Sequence, residues 1–63
     1  VLSTHEGQEF ILVMEGTMEI THGRNNYVLN EGDSIYYDSI VPHHVHGYKG
    51  QAAKILAVIY TPI

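Results

Sequence analysis

The feature that most limits what this chain can become is its punctuation. Turn-forming clusters fall at Glu15-Gly16, Gly23-Arg24-Asn25-Asn26, Asn30-Glu31-Gly32-Asp33 and Lys49-Gly50-Gln51. Gly and Asn tolerate the backbone angles that tight hairpins demand, so each cluster reads as a reversal of the chain. The segments between them carry the period of strands. Thr17–Thr21 alternates, with Met18 and Ile20 on one face and Thr17, Glu19 and Thr21 on the other. Phe10–Met14 is a continuous apolar run, the pattern expected of a strand buried on both sides. Tyr27-Val28-Leu29 and Ser34-Ile35-Tyr36-Tyr37 are short, aromatic and β-branched. Ala52–Tyr60 is the longest apolar stretch, ended by Thr61-Pro62. A helix over residues 54–59 is the weaker alternative there, because Val and Ile dominate and no N-cap residue precedes the run. Short strands at regular spacing with Gly/Asn turns specify an all-β sandwich or barrel.

Gly32–Gly47, GDSIYYDSIVPHHVHG, is the stretch around which the rest is arranged. It reads as a strand, a bend at Pro42 and a second strand bearing His43, His44 and His46. Alternation from His43 puts Val45 on the same side and sends His44 and His46 to the other.

Sixty-three residues form at most one domain, here taken as 1–63. A chain of this length buries only about 60% of the surface it exposes when unfolded, so a metal, a second subunit or flanking sequence is expected to help. It begins at Val1, without helix or cap, as a segment of a longer protein would. With no cysteine, a reducing compartment, the cytoplasm, is the default expectation. The net charge of -4 sets seven carboxylates against Arg24, Lys49 and Lys54, which leaves no basic patch for direct nucleic-acid contact. No apolar run approaches the roughly 20 residues of a membrane span, and no basic-then-apolar stretch reads as a signal sequence.

His5, Glu9 and His43 are the candidate metal ligands. Two imidazoles and one carboxylate bind a divalent first-row ion on one face and leave positions open. On a strand, the even separation of His5 and Glu9 places them on a common face. The competing reading makes each histidine a surface or hydrogen-bonded core group, Glu9 an exposed residue at a strand start and His22 a turn residue. Phe10, Val13, Met18, Ile20, Leu29, Ile35 and Val45 are expected to line a ligand pocket. Tyr36 and Tyr37, being adjacent, must point to opposite faces, one of them inward.

The arrangement resembles the cupin family. Its first motif has two histidines flanking one residue, then a glutamate, then a glycine; His5, Glu9 and Gly16 stand at those places, with six residues between the last two. Its second motif runs from a glycine to a histidine across ten residues, as Gly32 and His43 do, with Asp33 beside the glycine. The chain departs from the pattern at Ser3, where the first histidine would fall, at Asp38 and Ile40 in place of a proline and a glycine, and at Gly47 in place of an asparagine. The resemblance implies a jelly-roll, or double-stranded β-helix, barrel truncated at its N-terminus, with a remnant ligand set of His5, Glu9 and His43. Within the family, HEGQEFILVMEGTMEI, YVLNEGDSIYYDS and AVIYTP are most similar to the C-terminal cupin of bacterial helix-turn-helix regulators. That branch implies an effector-binding, dimerising module, a homodimer, and a DNA-binding domain outside this segment.

Two functions from different classes are therefore expected. The favoured one is a small-molecule-binding module, with Fe, Mn, Zn or Ni in the pocket or with no metal at all. The alternative is a non-haem metal enzyme of the Fe(II) oxygenase or epoxidase type, or an isomerase. A purely structural dimerisation barrel is a third reading.

Overall fold

In a computed structural model, which describes residues 7–61, the chain is all-β. Six strands follow in order: β1 Gln8–Glu15, β2 Met18–His22, β3 Asn25–Leu29, β4 Ser34–Asp38, β5 His43–Gly47 and β6 Lys54–Tyr60. A single 3-10 turn, Tyr48–Gly50, interrupts the path from β5 to β6. The strands form two antiparallel sheets, ordered β4-β1-β6 and β3-β2-β5. β1 and β2 are the central strands, and the four others are edges.

The turns explain the register. β2 and β3 are joined by Gly23-Arg24 alone, and only Gly23 takes a positive φ (60°), as a two-residue hairpin with glycine in its first position requires. The pairing then runs from Met18↔Leu29 to His22↔Asn25. Asn30–Asp33 closes on itself. The Asp33 amide donates to the Asn30 carbonyl (2.9 Å), and the Asn30 amide donates to Asp33 Oδ2 (2.8 Å). Gly32 takes the turn's positive φ of 87°.

The core lies where the two sheets face each other. Ile11 and Val13 from β1, Met18 and Ile20 from β2, Leu29 from β3 and Tyr37 from β4 are buried, with Ile35, Val45, Ala53 and Ile55 packed against them. β1 differs from its sequence expectation. Glu9, Ile11 and Val13 are buried, whereas Phe10 and Leu12 are only half-buried and Met14 is exposed. The strand is one-sided because the second sheet covers only one face of the β4-β1-β6 sheet. At 54–59 the chain is strand, not helix. β6 pairs with β1 from Gln8↔Tyr60 to Glu15↔Lys54, with a register shift between Val13 and Glu15. No helix among the described residues is long and apolar enough to cross a membrane.

Candidate functional site

Period-two alternation brings a carboxylate into the interior. Glu9 shares its face with Ile11 and Val13 and is 7% exposed, and His43, first residue of β5, is 5% exposed. The two strands belong to opposite sheets, so the side chains meet across the core, with His43 Nε2 3.0 Å from Glu9 Oε1. Two more groups complete the cluster. The Tyr37 hydroxyl donates to Glu9 Oε2 at 2.9 Å, and the Ser39 hydroxyl, fully buried, donates to Glu9 Oε1 at 3.4 Å.

The protons can be placed by elimination. His43 Nδ1 lies 2.9 Å from the Val41 carbonyl, which can only accept, so Nδ1 carries a hydrogen. Nε2 then faces a carboxylate oxygen, and two lone pairs cannot share that line. A proton on one group or the other, or a cation, must sit between them. Anchoring one ring nitrogen on a backbone carbonyl also fixes the orientation of the other, as in the outer shells of histidine metal ligands. Burial pushes the Tyr37 hydroxyl well above the ordinary tyrosine range, and its hydrogen bond to Glu9 and that residue's negative charge add to the shift.

Tyr37 is the partition between this cluster and an open cavity of about 640 Å³. The cavity lies between β3 and β4, one edge strand from each sheet, and is walled by His22, Tyr27, Leu29, Ile35, Tyr37 and Val41 together with the strand edges. Tyr37 stands edge-on between two imidazoles, with ring centroids 5.0 Å from His22 and 5.2 Å from His43. His22 Nε2 is 3.1 Å from the Asp38 carbonyl, so it is the donor there.

Of the expected ligand set, Glu9 and His43 are brought together, and His5 lies outside the described residues. Among the described residues no group of three or more His, Cys, Asp or Glu side chains is arranged to hold a metal ion. Of the expected pocket residues, only Leu29 and Ile35 line the cavity. Val13, Met18 and Ile20 are buried in the core and Val45 packs against it, because the sheets close directly on them. Phe10 stands one residue from Glu9 and therefore on the opposite face of β1, paired with Tyr36 and Val58.

His22, expected as a turn residue, is the last residue of β2 and lines the cavity. Its signal was its parity with Met18 and Ile20, which carries the inward face of β2 to the end of the strand. Opposite the interior, His46 Nε2 meets Glu19 Oε1 at 2.9 Å on the outer side of the β3-β2-β5 sheet.

A protein-family model described as a cupin domain matches residues 2–59, nearly the whole chain. Neither the curated proteins nor the solved structures yielded a match.

Proposed function

This chain belongs to the cupin family, and from that premise we propose that it is a small-molecule-binding module whose ligand occupies the cavity beside Tyr37. The observation that carries the reading is the cavity itself. It has the volume of an ordinary ligand site and a mixed lining, with Tyr27, Val28, Leu29, Ile35 and Val41 beside the polar residues His22, Asp33, Ser34 and Asp38.

Native mass spectrometry of protein purified without harsh dialysis tests the reading. Protein carrying a small molecule, released by Val41→Trp, is the expected result. If Val41→Trp retains the same molecule undiminished, the ligand sits elsewhere.

In its finer form, the module is the effector-sensing, dimerising part of a cytoplasmic bacterial transcription regulator, with a DNA-reading domain elsewhere in the chain. Support comes from the sequence resemblance, the absence of a basic patch and the apolar, exposed surface of β6. Effector binding would shift the population of dimer or barrel states, and the attached domain would read that shift. A coding frame that opens next to Val1 with no helix-turn-helix before it would contradict this form.

The Glu9–His43 pair favours a second reading, a metal-dependent cupin enzyme. A carboxylate oxygen and a backbone-anchored imidazole facing each other across the core suit a divalent ion in chemistry, and His5 is the third donor in this proposal. Such an ion, when bound, supplies Lewis-acid polarisation or oxygen activation. The protein's own groups would position it, with Val41 fixing the His43 ring and Tyr37 and Ser39 holding the carboxylate. Metal analysis of chelator-free protein, compared with His43→Ala, separates the readings. About one equivalent of metal that falls away in the variant supports the second, and less than about a tenth of an equivalent in the parent opposes it.

A further inference from the structure

The cavity's side chains also carry information about the charge of what enters, an inference that rests on the ligand-binding reading above. We propose that it selects ligands with an aromatic or planar apolar body and a cationic, hydrogen-donating nitrogen, and disfavours carboxylates and phosphates.

The polar side chains of the wall are mostly acceptors. Tyr37 spends its hydroxyl proton on Glu9, so it has none to donate to a ligand. His22 uses Nε2–H on the Asp38 carbonyl, which leaves Nδ1 as the acceptor of the neutral ring. Asp33 and Asp38, both exposed, add carboxylates at the rim. Ser34 and Tyr27 add hydroxyls that can donate as well as accept, yet among the wall's side chains acceptors outnumber donors, and a ligand that brings donors suits them best.

The field has the same sign. None of the chain's three cationic side chains lines the cavity. Arg24 is at the β2–β3 hairpin tip, Lys49 lies over the Tyr48 ring at 5.3 Å, and Lys54 is opposite Glu15 on the far sheet edge. The rim carboxylates and the net charge of -4 therefore act on an incoming ion with no Lys or Arg among the lining residues. The face of Tyr27, an exposed ring in the cavity wall, is a suitable surface for an organic cation as well as for an aromatic ring.

Three probes of similar body and different charge decide the matter: 2-phenylethylamine, 2-phenylethanol and 3-phenylpropanoate. Each is titrated into 15N-labelled protein at neutral pH, and the amide signals of Leu29, Ile35 and Val41 are followed. The amine is expected to bind about tenfold or more tightly than the propanoate, with the alcohol between. Asp38→Asn is expected to narrow that gap, and raising the salt on the parent protein should narrow it too, because exposed carboxylates are screened. A propanoate that binds as tightly as the amine, or an alcohol that equals it, overturns the charge selection and leaves the cavity reading intact. If none of the three moves those signals, the cavity reading falls and the selection falls with it.

Discussion

At the scale of single residues, Tyr37 joins the structure to the chemistry. Its ring forms the wall between the interior pair and the cavity, and its hydroxyl is spent on Glu9. Tyr37→Phe removes that donor from a buried carboxylate and is expected to cost about 1–2 kcal/mol in urea denaturation at neutral pH. The pH dependence follows from the raised hydroxyl. Above the ordinary tyrosine range the unfolded chain releases this proton while the folded chain keeps it. The folded state then binds more protons, and stability must fall as pH rises. The Tyr37 contribution is thus complete below the unfolded tyrosine value and is lost progressively above it. Denaturation midpoints measured from neutral to strongly alkaline pH should show that decline, and in Tyr37→Phe it should be shallower. Equal slopes in the two proteins would remove Tyr37 from the account. His43→Ala is a harsher change, since it leaves the Glu9 carboxylate facing an empty site. It is expected to cost about 3 kcal/mol, measured the same way.

At the scale of elements, the outcome depends on parity. The turn clusters were legible because Gly and Asn mark reversals whatever the tertiary context, and the all-β class followed from them. The alternation of β2 was legible for the same reason: Met18 and Ile20 point inward as the pattern requires. The run FILVM is one-sided in the structure, and an unbroken apolar run does not say how many of its faces another layer will cover. Phe10, expected in the pocket, lies on the face of β1 away from Glu9, and Ile11 is in the core. The pairing of Glu9 with His43 depended on which sheets β1 and β5 join, and no local pattern encodes that. The cavity was illegible for a related reason, since it lies between two strands that never pair. The parity of β1 has a direct test. Ile11→Ala should cost about 3 kcal/mol and Leu12→Ala about 1 kcal/mol, because only the first opens a cavity between the sheets. Equal costs would mean that both faces are covered. The end of β5 offers a second test. A methyl group on Gly47 would overlap the Gln51 carbonyl, so Gly47→Ala must shift the 3-10 turn and is expected to cost about 1–3 kcal/mol.

At the scale of the whole molecule, β6 dominates. It is an edge strand, and apolar on both faces. Ile59 points to the same side as Glu9, Leu56 and Val58 point to the other, and Val58 and Tyr60 are 54% and 65% exposed. An apolar edge of this length invites pairing, and in the proposed homodimer it would be covered by a second chain. Sedimentation velocity should then find a dimer at micromolar concentration, dissociated by Val58→Asp. A protein that stays monomeric to its solubility limit would rule that arrangement out.

The most direct test of the ligand-binding account is an electron-density map from crystals of protein purified without chelator or prolonged dialysis. Ordered non-protein density between β3 and β4, in contact with His22 and Tyr37, is the expected result. A collapsed cavity filled by the protein's own side chains, with any bound molecule elsewhere, would contradict it.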